Sequence, residues 1–151
     1  MNIEPILSGN FYHIYNRGNN GIDIFFENEN YEHFLRLYQK YIDPIAETYA
    51  WCLLKNHFHV LIYVKSESEI NETEFMYSTV EKAKRIDCSL QFSHFFNAYT
   101  QAINKRHKRT GSLFEKPFKR KLITSQDYLS KMIYYIHNNP VKHGFKERMI
   151  D

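Results

Sequence analysis

Along this chain the hydrophobic period switches between two and 3.6 residues in one order: strand, helix, two strands, helix, strand, helix. Residues 11–17 are aromatic-rich and strand-like, and Gly18-Asn19-Asn20-Gly21 breaks them with strong turn chemistry. Residues 22–26 read either as a short second strand or as an extended arm. Tyr31, Phe34, Leu35, Tyr38, Tyr41 and Ile42 then recur at helical spacing. Asn28 is the expected cap of that helix and Asp43-Pro44 its expected stop, because the residue before a proline disfavours helix. Residues 48–54 and 57–64 read as a hairpin about Lys55-Asn56. A second amphipathic helix carries Phe92, Phe95, Phe96, Tyr99, Ala102 and Ile103, and ends in a basic tail and Thr110-Gly111. Residues 117–124 read as a strand near a sheet edge, since Pro117 cannot donate to a ladder. Ser125 caps a third helix with the apolar stripe Tyr128, Leu129, Met132, Ile133 and Ile136, and Asn139-Pro140 is expected to end it.

The order βαββαβ plus a final helix predicts an α+β fold, a ferredoxin-like antiparallel sheet with helices on one face and an added C-terminal helix. The length of 151 residues suits one domain over 1–151 with a core of its own. The polar stretch 65–88 reads as an insert to which the sequence assigns no structure. Two cysteines, Cys52 and Cys88, lack metal-type spacing, and Cys52 in its apolar run reads as a buried thiol. The N-terminus has no basic start followed by an apolar stretch, and no run approaches the roughly 20 apolar residues of a membrane helix. The expectation is a soluble, cytoplasmic protein with no membrane partner.

A net charge of +3 is too mild to announce a nucleic-acid binder. Its distribution says more. Within 105–121 stand Lys105, Arg106, Lys108, Arg109, Lys116, Lys119, Arg120 and Lys121, opposed only by Glu115. Such a run is either a solvated loop or a surface that holds phosphates. The twelve tyrosines and twelve phenylalanines serve equally as core fillers or as stacking platforms for unpaired bases.

Two constellations carry chemistry. Strand alternation puts both imidazoles of His57-Phe58-His59 on one face, roughly 7 Å apart at Cα, so they can converge on one metal ion. Eight histidines make roughly 0.4 such pairs expected by chance, so two polar histidines on a wet sheet face is the competing reading. On the third helix, at ~100° per residue, Tyr135 and Asn139 fall together on one border of the apolar stripe, while Tyr134 points away from it. Tyr135 can look across at the sheet, or can be a half-buried boundary residue beside a helix-end amide.

Four blocks together resemble the single-tyrosine HUH transposases. His57-Phe58-His59, inside Trp51-Cys-Leu-Leu-Lys-Asn-His-Phe-His-Val-Leu-Ile62, resembles the histidine–apolar–histidine signature. Tyr135-Ile-His-Asn-Asn-Pro-Val-Lys142 resembles the catalytic helix end. His13-Ile-Tyr-Asn-Arg-Gly-Asn-Asn20 with Ile24-Phe-Phe26 resembles the N-terminal block, and Gly111-Ser-Leu-Phe-Glu-Lys-Pro-Phe118 the glycine–aromatic block. They occur in the family's order, and the REP-associated tyrosine transposases are the branch they fit. The resemblance implies Tyr135 as nucleophile, with His57, His59 and Asn139 as ligands of a divalent metal, Mg²⁺ or Mn²⁺. It implies single-stranded DNA with a hairpin as partner, contacted by Arg17, Lys105, Arg106, Lys108, Arg109, Lys119, Arg120 and Lys121. The product would be a 5′-phosphotyrosine and a 3′-hydroxyl, a covalent intermediate that conserves the bond for religation.

Three other readings compete with it: a domesticated DNA-hairpin-binding protein that cuts nothing, a hydrolase using His57 and His59 with a carboxylate, and an RNA-binding sheet. The family includes monomers and dimers, so oligomeric state stays open. A tyrosine hydroxyl with pKa ~10 is almost wholly protonated at neutral pH, and the sequence does not show what takes its proton.

Overall fold

The computed structural model describes residues 3–71 and 87–142, with Asn71 and the last four residues described by backbone alone. Among the described residues four strands and four α-helices follow in order: β1 Phe11–Arg17, α1 Asn28–Tyr41, β2 Ala46–Leu54, β3 His57–Val64, α2 Glu67–Asn71, α3 Cys88–Arg106, β4 Lys119–Ile123 and α4 Gln126–Lys142. The strands form one antiparallel sheet in the order β2-β3-β1-β4. The sheet and its helices are the α+β arrangement that the alternating periods predict. Of the polar stretch 65–88, a short helix occupies Glu67–Asn71 and residues 72–86 lie outside the described residues.

Both faces of the sheet are covered, by different elements. Alternation along β3 sends Phe58, Val60, Ile62 and Val64 one way, where they join Tyr12 and Ile14 of β1 and Trp51 and Leu53 of β2. Phe34 and Tyr38 of α1 and Phe92, Phe95, Phe96 and Tyr99 of α3 close that core. The rings meet edge-on more often than stacked, with Phe34 inclined at 66° to Phe95 and 87° to Tyr99, a geometry that aromatic quadrupoles favour. The opposite face holds a smaller core: Ala50, Cys52, Leu54, Leu61 and Ile123 of the sheet under Met132 and Ile136 of α4. The two helices expected over one face are α1 and α3, and the added helix takes the other.

Several boundaries differ from expectation, each for a local reason. The cap of α1 is Glu27 rather than Asn28: its carboxylate and the Asn30 side chain satisfy each other's backbone N–H groups reciprocally. Residues 22–26 form no strand. They are the extended arm, pinned where the Ile24 and Phe25 N–H groups both donate to the Lys55 carbonyl. Helix α3 ends at Arg106, before the expected Thr110-Gly111, and Lys108 then turns the chain with a φ of 52°. Helix α4 begins with Ser125 Oγ accepting from the Tyr128 N–H, and runs through Pro140 to Lys142 instead of stopping at Asn139. Proline's fixed φ suits a helix, and within the last turn it removes a single backbone donor. Among the described residues no helix is long and apolar enough to cross a membrane.

Candidate active site

Strand register decides what stands beside the two histidines. On β1, Tyr15 lies opposite His59, Arg17 opposite His57 and His13 opposite Leu61. On β4, Lys119 lies opposite Tyr15 and Lys121 opposite His13. Partners in register share a face, so one sheet face gathers His13, Tyr15, Arg17, His57, His59, Lys119 and Lys121. Helix α4 covers the apolar part of this face through Ala50, Cys52, Leu54, Leu61 and Ile123. The histidines stand where that cover ends, at a cleft of 670 Å³ lined by Tyr15, Arg17, Lys55, Asn56, His57 and His59 among others.

The two imidazoles are held differently. His57 Nδ1 lies 2.8 Å from Asn56 Oδ1. An amide oxygen only accepts, so Nδ1 carries a proton and donates to it. His59 Nδ1 lies 2.9 Å from His13 Nε2, and the two rings stack at 5.1 Å. Burial holds the His59 imidazolium down to about 3, with the neighbouring His13 and His57 adding to the effect. Burial also holds His13 down to about 4, helped by the Lys121 charge. Both rings are therefore neutral at pH 7, the form in which an imidazole can ligate. The His57 and His59 rings sit 5.3 Å apart and perpendicular.

Tyr135 reaches this pair from the other layer. Met132 and Ile136 set the rotational phase of α4 by burying against the sheet, which leaves Tyr135 on the stripe's border. Its ring centroid is 5.9 Å from that of His59, edge-on at 87°, and the residue is 46% exposed. Tyr134 is 72% exposed and points away. The chain thus brings together His57, His59 and Tyr135 from sites 78 positions apart. Asn139 follows Tyr135 by one helical turn; its side chain lies outside the described residues.

Two imidazoles converging at an open cleft fit two ligands of a divalent metal. Among the described residues no three His, Cys, Asp or Glu side chains stand together as a complete set.

The basic residues separate into groups. Arg17 and Lys119 flank the cleft, and Glu115 bridges them, 3.6 Å from Arg17 Nε and 3.2 Å from Lys119 Nζ. Lys121 lies on the same face, with its ammonium 5.1 Å from the Tyr128 ring centre. Arg120 alternates to the opposite face, stacks over Phe118 and donates to Ser89 Oγ. Arg106 forms a two-point ion pair with Glu27, and Arg109 donates to Asn104 and the Ser112 carbonyl. Lys105 and Lys108 are exposed at the end of α3. Of the eight predicted phosphate contacts, the structure brings Arg17, Lys119 and Lys121 to the face of the histidines.

His13 stood in a resemblance block in the sequence but was not among the predicted site residues. Its alternation with Tyr15 and Arg17 is visible in the chain, but only the β1–β3 register places it against His59.

No family model matches the chain. A Haemophilus influenzae protein assigned as a REP-associated tyrosine transposase is 26% identical over 107 residues, which cover 70% of this chain and 55% of that one. The chain therefore spans about half the length of this relative. A solved structure of a REP-associated tyrosine transposase bound to a REP hairpin matches with a TM-score of 0.68, over 96% of this chain and 74% of that chain, at 17% identity. This chain resembles the REP-associated tyrosine transposases. The sequence relative carries the likeness to that group, and the structural neighbour carries the fold.

Proposed function

We propose that this chain is a metal-dependent single-stranded DNA endonuclease and strand transferase of the single-tyrosine HUH type, acting at hairpin-flanked sites. One observation supports this reading above the others: Tyr135, on a helix packed separately from the main core, stands edge-on to His59 of the His57-Phe58-His59 strand. A chance histidine pair would have no reason to face a tyrosine from another layer. The hairpin ligand of the structurally similar protein is extended here to this chain.

In this mechanism Arg17 and Lys119 draw the phosphate backbone to the cleft and Glu115 yields its place between them. Tyr15 offers a half-buried ring beside His59 on which a base can stack. His57, His59 and Asn139 would hold a Mg²⁺ or Mn²⁺ ion, which when bound supplies Lewis-acid neutralisation of the scissile phosphate. Tyr135 Oη attacks phosphorus, an O–P bond forms to the tyrosine, and the bond to the 3′-oxygen breaks. The products are a 5′-phosphotyrosine and a 3′-hydroxyl: the tyrosine proton leaves to bulk water, open to half-exposed Tyr135, and the departing 3′-oxygen takes a proton from water. Reversal by a second 3′-hydroxyl rejoins strands.

The test is an adduct assay. Labelled hairpin oligonucleotides from the gene's flanking repeats are incubated with Mn²⁺ or Mg²⁺ and resolved under denaturing conditions. A protein–DNA adduct lost in both Tyr135→Phe and His59→Ala, and kept in Tyr134→Phe, is the expected result. Metal-dependent cutting that survives Tyr135→Phe would replace this mechanism with a hydrolase. Tight binding without cutting in any metal would leave a hairpin-binding protein.

A further inference from the structure

The hydrogen bond between His13 and His59 has two possible directions, and they have opposite consequences. If His13 Nε2 donates, His59 keeps its proton on Nε2 and presents an N–H to the cleft. If His59 Nδ1 donates, Nε2 presents a lone pair. At His57 the Asn56 Oδ1 acceptor already holds a proton on Nδ1.

Resting on the metal reading above, we propose that His13 is a positioning residue: it accepts from His59 Nδ1 at 2.9 Å and holds His59, whose ring lines the cleft, in the tautomer that leaves a lone pair on Nε2. The surroundings support a fixed ring. His13 is 6% exposed and His59 8%. His13 stacks on Tyr15 at 4.5 Å and 25°, and Tyr15 on His59 at 5.7 Å and 23°, so three near-parallel rings brace one another. A ligand imidazole is commonly oriented by an acceptor on its other nitrogen, which fixes both tautomer and plane. Here that acceptor is a second imidazole from the neighbouring strand, and the two histidines of the motif are oriented by unlike groups, an amide and a ring. A mere core filler at position 13 would need no polar atom, since Leu has similar bulk.

The experiment uses the metal-free chain with ¹⁵N-labelled histidine, the parent beside His13→Gln and His13→Leu, read by long-range ¹H–¹⁵N correlation at pH 7.5. Gln keeps an acceptor near the position of His13 Nε2; Leu removes it. Expected is a His59 protonated on Nδ1 in the parent and in His13→Gln, with His13→Leu shifted toward the Nε2–H form. In parallel, Mn²⁺ affinity without DNA should fall about 10- to 100-fold in His13→Leu and stay within about threefold in His13→Gln. A parent His59 protonated on Nε2 overturns the proposal, and this measurement needs no variant to fold. So does a His13→Leu protein with an unchanged His59 tautomer, or with unchanged Mn²⁺ affinity in a parent that binds. The expected tautomers in a parent that binds no Mn²⁺ would uphold the role of His13 and sink the metal reading alone.

Discussion

Gly18→Ala is the substitution that the geometry condemns most directly. Gly18 has an ordinary φ of −64°, so the backbone conformation itself would accept alanine. The obstacle is space. A Cβ there would lie 1.9 Å from the Ile22 carbonyl oxygen and 2.9 Å from its carbon, both backbone atoms. Ordinary contact begins near 3.4 Å, so the carbonyl must retreat by about 1.5 Å. That retreat pulls on a turn tied at several points: Gly18 N–H donates to the Asn56 carbonyl, Gly21 N–H donates to the Gly18 carbonyl, and Gly18 bridges to Phe114. Overpacking costs about 1–3 kcal/mol where side chains can yield, and a backbone neighbour places this case at about 3 kcal/mol or above. For a chain of this size that is a fall in Tm of about 6–12 °C. Gly111→Ala is the matched control, with a positive φ of 87° but nothing within 4 Å of the added carbon. Only the left-handed conformation penalises it, by about 1–2 kcal/mol. Calorimetry on the three proteins compares them, and Mn²⁺ affinity reports whether the strain reaches His57 through Asn56. A Gly18→Ala melt within about 2 °C of the parent, or one no lower than that of Gly111→Ala, would refute the steric reasoning.

Three further outcomes are expected. Ile136→Ala removes three fully buried carbons from the small core that docks α4 and should cost about 2–5 kcal/mol by urea unfolding, whereas Tyr134→Ala on the exposed side should stay within about 0.5 kcal/mol. Acid should destabilise the fold early: His13 and His59 are held to about 4 and about 3 while unfolded histidines titrate near 6.5, so the unfolded chain binds more protons below that value. Stability is then full above pH ~6.5 and falls toward pH ~4 by up to about 1.4 kcal/mol per unit for each histidine, and equal urea midpoints at pH 7.5 and 5.0 would contradict this. Glu115→Gln keeps the residue's backbone bonds and removes the carboxylate between Arg17 and Lys119, so single-stranded DNA should bind up to about fivefold more tightly at low salt, with the gain fading as salt rises; unchanged affinity would detach these residues from the DNA path.

Period alone made most of the architecture legible. The ranges read for β1 and β3 coincide with the observed strands, because alternation over seven or eight residues has few competitors. The stripe on α4 likewise fixed which tyrosine faces the sheet, since a 100° step separates neighbours. What escaped depends on groups distant in sequence. The cap of α1 went to Glu27 because Asn30 answers it reciprocally, and residues 22–26 became an arm because one carbonyl at Lys55 satisfies two of their N–H groups. The charge run 105–121 looked like one surface, yet strand alternation alone sends Arg120 to the face opposite Lys119 and Lys121, and Glu27 engages Arg106 across the fold. His13 opened one of the resemblance blocks but was given no role there, because its meaning lies in a side-chain contact with His59, 46 positions away, that only the folded sheet creates.

The site's location follows from how the two cores share one sheet. One face of β3, from Phe58 to Val64, is buried by α1 and α3 along its whole length. The other face begins under α4 with Leu61 and passes out from under it at His59 and His57. A side chain at that margin is dry on one side and reachable on the other. This is the environment in which an imidazole stays neutral yet meets an incoming ligand, and in which a tyrosine on the helix border keeps its ring packed and its hydroxyl accessible. The stripe from Tyr128 to Ile136 thus sets where Tyr135 stands relative to His59, the placement on which its proposed role depends.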